Sequence, residues 1–244
     1  MKDMELGINI DHVATLRQVR GTDYPDPTTA VKIVEKAGAD LITLHLREDR
    51  RHISDRDVEI IRAMVSTRMN LEMAATDEMT QIACAIKPHD VCIVPERREE
   101  LTTEGGLDVC GKLDLLRSMV DELRNAGIRV SMFIDPDASQ IEASKSCGAE
   151  AIEIHTGTYA DSTDDQCREL EFSRIVDAAC FAHDLGLKVN AGHGLNYENV
   201  SRVANISKIS ELNIGHSIIA EAVFVGLYEA VSRMKQVIVD AVSE

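Results

Sequence analysis

Tryptophan is absent from this chain of 244 residues, and phenylalanine and tyrosine contribute only four each. So thin an aromatic content leaves little surface on which nucleic-acid bases could stack. Positive charge is scarce as well: 26 Lys and Arg stand against 42 Asp and Glu, a net charge of −16. No broad basic face survives that balance, which argues against nucleic acid or an anionic membrane as a partner. Long apolar runs are missing too. Nothing approaches the roughly 18 uninterrupted apolar residues of a membrane span, and Met1-Lys2-Asp3-Met4-Glu5 opens no signal-type apolar region. The six cysteines (Cys84, Cys92, Cys110, Cys147, Cys167 and Cys180) never fall as C-x-x-C. That pattern points away from a zinc ribbon or a disulfide framework and towards reduced, mostly buried thiols. The expected compartment is the cytoplasm.

What is present is an ordinary globular balance, 44% hydrophobic and 28% charged, in a chain long enough for a substantial core. Strand-like runs fall near Leu6–Ile10, Leu41–His45, Met69–Met73, Asp90–Val94, Arg129–Ile134, Ala151–His155, Leu187–Ala191 and Ile209–Ile214. Between them lie amphipathic stretches such as Pro27–Ala37, Asp55–Ser66, Leu113–Ala126, Ala138–Cys147 and Phe172–Leu185. Several end in a glycine (Gly38, Gly127, Gly148, Gly186) just before the next strand. About eight βα units in this length predict an α/β (β/α)₈ TIM barrel, with a doubly wound open sheet as the alternative. No Pro/Gly/Ser-rich linker interrupts residues 1–244, so one barrel domain is expected. The segment Glu35–His45 echoes Lys145–His155, half a barrel apart, and sets His45 and His155 at equivalent strand ends.

Polar side chains at the C-terminal ends of barrel strands converge on one mouth. Here those ends carry Asn9, Asp11 and His12, then Thr43, His45 and Arg47, then Glu72, Glu153, His155, Asn190 and His193. One polar strand end is an ordinary cap; so many are hard to explain as packing, because burying them is costly. The turns Ala191-Gly192-His193-Gly194 and Ile214-Gly215-His216-Ser217 each follow a β-branched run and open a helical pattern. Glycine admits close backbone approach, and a helix start supplies unpaired N–H groups, so the pair reads as a phosphate cradle. Arg17, Arg20, Arg47, Arg50, Arg51 and His52 fall in the first two connections, with Arg20 and Arg47 the better phosphate contacts. The charged stretches Pro95–Gly111 and Thr156–Gln166 read as long loops on the same face. A final stripe of Phe224, Leu227, Val231, Met234, Ile238 and Ala241 is expected to be buried on the barrel or on a neighbouring subunit. No H-x-H, H-E-x-x-H, P-loop or G-x-S-x-G pattern is present, so no catalytic metal is expected. A phosphosugar isomerase or aldolase on the same barrel, or a phosphometabolite-binding barrel without activity, remains open on these residues alone.

Four longer motifs carry a resemblance. Leu6–Arg17, His45–Ile53, Asn70-Leu71-Glu72-Met73 and Val189–Leu195 strongly resemble the pyridoxine 5′-phosphate synthase family, and Glu153–Gly157 and Asn213–Ser217 match as well. The resemblance runs essentially from end to end. It implies a (β/α)₈ barrel with extra helices that condenses 3-amino-2-oxopropyl phosphate with 1-deoxy-D-xylulose 5-phosphate, releasing phosphate and water. It further implies that Asn9, Arg20, Gly194, Gly215 and His216 hold the aminoketone phosphate. Asp11, His12, Arg47, His52 and Thr102 would hold the deoxyxylulose phosphate. His45 and Glu72 would accept protons, His193 would donate one, and Glu153 would stabilise charge inside the barrel. Dimers grouped into octamers, with no metal or organic cofactor, are implied by the same resemblance.

Overall fold

The computed structural model describes residues 4–96 and 105–243. Its strands are β1 (Glu5–Asn9), β2 (Leu41–His45), β3 (Arg68–Ala74), β4 (Asp90–Val94), β5 (Arg129–Ile134), β6 (Ala151–His155), β7 (Lys188–Gly192) and β8 (Ile209–Ile214). Each pairs in parallel with its successor, and β8 returns to pair with β1, closing the barrel. Closure rules out the doubly wound open sheet. Helices α1 (Asp11–Arg20), α2 (Pro27–Lys36), α3 (Asp55–Met64), α4 (Asp77–Ile86), α5 (Leu113–Asn125) and α6 (Ala138–Ser146) serve the first five strands. The remainder are α7 (Gly157–Asp161), α8 (Asp165–Asp184), α9 (Val200–Ala204), α10 (His216–Val225) and α11 (Leu227–Ser243).

Local sequence explains these boundaries. Asp26 accepts from the Thr28 amide with Pro27 in the first turn of α2, and Ser54 with Asp57 forms a capping box at α3. Gly38, Gly127, Gly148 and Gly186 all take positive φ just past a helix end, as expected of left-handed caps. The alternation along each strand then divides the molecule. Outward side chains such as Leu6, Ile8, Leu44, Leu71, Ile93, Met132, Ile154 and Leu212 pack under the helices as one continuous apolar core. Inside the barrel, among the described residues, Cys92, Val94 and Phe133 form an apolar cluster of their own. Most of the remaining lining is polar.

Three expectations are corrected. The stretch Thr156–Gln166 is not a long loop: α7 and the start of α8 occupy most of it, with Asp164 capping α8 through the Cys167 amide. The C-terminal stripe is broken at Gly226, whose φ is 85°, so Phe224 belongs to α10 and, 86% exposed, is not buried on the barrel of its own chain. Val231, Met234, Ile238 and Ala241 on α11 are buried as expected. All six cysteines are free thiols, but only Cys92 and Cys147 are buried, while Cys110 and Cys167 are exposed. None of the helices among the described residues is long and apolar enough to cross a membrane.

Arg17 shows how much charge the scaffold itself consumes. Its guanidinium makes a two-pronged contact with Asp57, 2.9 and 2.7 Å, and donates to the His52 carbonyl. Asp57 is fully buried, and the same carboxylate closes the cap of α3. Removing one partner leaves an uncompensated buried charge. Asp57→Ala is therefore expected to cost about 3–5 kcal/mol in denaturant unfolding, and the pair replacement Arg17→Met/Asp57→Leu less.

Candidate active site

The mouth of the barrel is the top of a polar column that begins at its floor. There Arg68, Arg129 and Lys188 meet Glu5, Asp90 and Glu211. Arg68 lies 3.0 Å from both Asp90 and Glu211, Arg129 lies 2.6 Å from Asp90, and Lys188 lies 2.6 Å from Glu5. Burial alone would push the Glu211 carboxyl up, but Lys188 and Arg68 hold it below the usual range. Above it, Asn190 Nδ2 donates to Glu211 at 2.9 Å. Asn213 Nδ2 donates to both Glu211 (3.3 Å) and Glu153 (2.7 Å), and the Asn213 side-chain carbonyl accepts from Thr43 at 2.9 Å. The space is tight. A Cβ on Gly7 would stand 2.0 Å from Asn213 Oδ1, and one on Gly192 would stand 2.3 Å from Glu153 Oε1.

At the next level β1, β2 and β3 bring together Asn9, Asp11, His45 and Glu72. Asn9 Nδ2 donates to Asp11 (3.0 Å) and Glu72 (3.5 Å), while Asp11 Oδ1 accepts the His45 amide at 2.9 Å. Each of Asp11, His45 and Glu72 offers a ligand-type atom within 4.8 Å of the others, the set among the described residues that could hold a cation. Desolvation, then the charges of Glu153 and Asp11, raise the Glu72 pKa well above the ordinary carboxyl value. The raised Glu72 pKa equips that carboxyl to hold and pass on a proton. Desolvation and Glu211 push Glu153 up to about 8 despite the Asn213 hydrogen bond. Glu153 is therefore neutral at pH 7, and Glu72 holds its proton more tightly than an ordinary carboxyl does.

The turns after β7 and β8 occupy one rim. His193 and Gly194 both have left-handed backbone, φ 79° and 76°, held by the Thr156 hydroxyl, which donates to the Gly192 and His193 carbonyls at 2.7 and 2.6 Å. For His193 that conformation is uncommon and is imposed by its surroundings. Gly215 precedes α10, whose first turn has no side-chain cap, and a Cβ there would come within 2.9 Å of Asn9 Cβ. Helix start and paired turns thus form an anion-ready rim. His12 and His216 meet edge to face on it, Nδ1 to Nδ1 at 3.1 Å, and burial with the His216 charge lowers the His12 pKa. Burial and His155 also depress His193, to about 4.

Most residues expected from the sequence do converge here. His52 lies with its ring 6.2 Å from that of His45 and accepts the Ile53 amide on Nδ1. Arg47 is buried, with Asp49 at 3.4 Å and Glu96 at 3.7 Å. Others do not. Arg17 serves Asp57, Arg50 pairs with Asp55 and Glu78, and Arg51 pairs with Asp49. Arg20 is exposed in the last turn of α1, the helix that Asp11 begins, and among the described residues makes no contact that ties it to the scaffold in the way Arg17 is tied. Thr102 lies outside the described residues. Sequence reading missed Glu96, Asn213 and Asp135. Asp135 Oδ1 sits 3.0 Å from His155 Nδ1, and His155 rests against His193 with 5.2 Å between ring centroids. Glu96 and Asp135 each stand just beyond a strand end, β4 and β5 respectively, and that position was the signal that could have found them.

A closed parallel barrel with proton-transfer groups at its C-terminal mouth and an anion-ready rim after its last two strands defines a (β/α)₈-barrel enzyme for phosphorylated substrates. Residues 6–240 match the family of pyridoxal phosphate biosynthesis protein PdxJ, and the chain belongs to that family. The pyridoxine 5′-phosphate synthase of Photobacterium profundum is 57% identical over 241 residues, 99% of each chain. More distant structures share the fold alone. KGPDC from Streptococcus mutans has a TM-score of 0.69 at 9% identity, covering 98% of this chain and 99% of that one. The phosphoribosylanthranilate isomerase of Thermotoga maritima has 0.62 at 13% identity, covering 96% and 98%.

The raised Glu153 pKa has a stability consequence of definite sign. A carboxyl at about 8 in the folded state and near 4.5 unfolded favours folding fully below pH 4.5 and loses that contribution as pH rises towards 8. Glu153→Gln removes the titration while keeping a polar side chain for Asn213. Thermal melts should show the variant gaining on the parent between pH 4.5 and 8, by a few kcal/mol at the alkaline end.

Proposed function

We propose that this chain condenses 3-amino-2-oxopropyl phosphate with 1-deoxy-D-xylulose 5-phosphate to give pyridoxine 5′-phosphate, inorganic phosphate and water. Membership of the PdxJ family carries the reading, and the buried and half-buried cluster of Asn9, Asp11, His45 and Glu72 supplies its chemistry. An amine must add to a ketone, water and phosphate must leave, and a carbon–carbon bond must close before aromatisation. Every step moves a proton, so several acid and base groups around one cavity are needed. Asn9, Gly194, Gly215 and His216, with Arg20, are assigned to the aminoketone phosphate. Asp11, His12, Arg47, His52 and Thr102 are assigned to the deoxyxylulose phosphate. His12 touches His216, so the two groups meet there and the substrates are held side by side, which supplies proximity.

His45 and Glu72 act as proton acceptors, His193 as donor, and Glu153 as the charge stabiliser beneath them. In the ligand-free site the Glu72 carboxyl holds its proton more tightly than usual and His193 is neutral. Substrate charge resets both: an ammonium or iminium beside Glu72 lowers its pKa, and a phosphate dianion beside His193 raises that of the imidazole. A Schiff-base aldolase is disfavoured, because Lys188 starts β7 at the barrel floor and is engaged by Glu5 and Glu211. The reaction needs no metal or organic cofactor, and the enzyme is a single-domain cytoplasmic protein. Its assembly is by dimers grouped into octamers. α1 and α10 lie side by side and expose Val19, Val223 and Phe224, the kind of apolar surface that a neighbouring subunit covers.

The decisive assay mixes both substrates with the protein and follows pyridoxine 5′-phosphate and phosphate release, with and without chelator. Equal product and phosphate, insensitive to chelator, is expected; conversion of either substrate alone would return the isomerase or aldolase reading. Glu72→Gln should bind inorganic phosphate nearly as the parent does while turnover falls by about 10²–10⁴. Near-normal turnover would remove Glu72 from proton transfer. Phe224→Asp should shift sedimentation towards smaller species.

A further inference from the structure

Glu96 follows Pro95 at the end of β4, and its side chain is only 2% exposed. Oε1 accepts the Glu48 amide at 2.9 Å and lies 3.7 Å from Arg47 Nη2. Oε2 faces His45 Nε2 at 3.4 Å. Both of those atoms are buried, and among the described residues neither makes a hydrogen bond, so the 3.4 Å approach is a close charge–imidazole contact just short of hydrogen-bond geometry. Burial would raise the Glu96 carboxyl, but His45, Arg47 and the Glu48 amide hold it below its ordinary value, so it is an anion in the folded protein. A buried carboxylate is costly unless its neighbours compensate it, and here those neighbours are two residues of the mouth.

We propose that Glu96 is a positioning residue for the reaction assigned above: its carboxylate turns His45 so that Nε2–H points at Glu96 and Nδ1 is left to take the substrate proton. The geometry is that of a carboxylate orienting an imidazole base, which fixes the tautomer and stabilises the imidazolium formed on proton uptake. It also links the end of β4, six residues before Thr102, to the base on β2. The other charged or titratable groups facing His45 are Asp11, which accepts its amide, Glu72, within 4.8 Å, His52, and Arg47 through the shared Glu96. Among the described residues, Glu96 is the one ion-paired with Nε2.

The inference rests on the proposed reaction only for its kinetic arm. The ring ¹⁵N resonances of His45, assigned by difference with His45→Asn, can be read in the ligand-free protein. An Nε2–H tautomer in the parent is expected, and an Nδ1–H tautomer overturns the proposal even if Glu96→Gln fails to fold. In Glu96→Gln the imidazolium loses its anion, so the acid limb of kcat/KM should move to lower pH by about one unit. Here kcat/KM at neutral pH should fall about 10–100-fold, mostly in kcat. Glu96→Asp, which keeps the charge, should hold the limb nearer its parental position. An unmoved acid limb and an unchanged His45 ring spectrum in a folded Glu96→Gln protein overturn the assignment, whatever the rate does. If the parent makes no pyridoxine 5′-phosphate the reaction fails, while the tautomer still decides the orientation.

Discussion

The barrel must hold a stack of carboxylates in a space from which water is largely excluded. Glu211, Glu153, Glu72 and Asp11 rise from floor to mouth, and isolated buried anions at such spacing are not tolerated. The structure solves this unevenly. At the floor, Arg68, Arg129 and Lys188 let Glu211 remain charged. Higher up, no cation among the described residues pairs with Glu153, so it keeps its proton and leans on Asn213. The cluster of Asn9, Asp11, His45 and Glu72 sits above the level at which charge compensation stops.

That division also explains the unusual lining. Many barrels fill the interior with branched apolar side chains. Here Thr43, Asn70, Asn190 and Asn213 occupy those places, and the apolar core lies outside the sheet. Each polar side chain inside is needed to satisfy another. Gly7 and Gly192 are the space left for Asn213 and Glu153, so the network fixes residues that carry no chemistry of their own. At the rim the same economy holds: Gly215 gives way to Asn9, and the left-handed turn of His193 is fastened by Thr156.

Much of this was legible in the chain. Strand ends, glycine caps and the echo between Glu35–His45 and Lys145–His155 carried the barrel, and His45 and His155 do end β2 and β6. The site residues were visible wherever a polar side chain broke an apolar strand, as Glu72 does. Glu96 and Asp135 did not stand out, although they lie just past strand ends like Asp11 and His193, because each sits in a run of polar residues. Asn213 lies inside its strand among other polar groups. The apolar stripe through Phe224 misled because periodicity takes no account of Gly226, where φ of 85° starts a new helix direction.

By itself the sequence determined the alternation that sorts side chains to either face of the sheet, the glycine caps that end several helices, and which residues could do proton chemistry. Those are local properties, set by period and by single-residue backbone preference. Which arginines are spent on the scaffold was decided only in three dimensions, since Arg17 and Asp57 lie on different helices and meet through packing. Protonation states were decided there too. A carboxyl's pKa depends on what desolvates it and which charges stand beside it, and Glu153 and Glu211 come from strands that only barrel closure brings face to face.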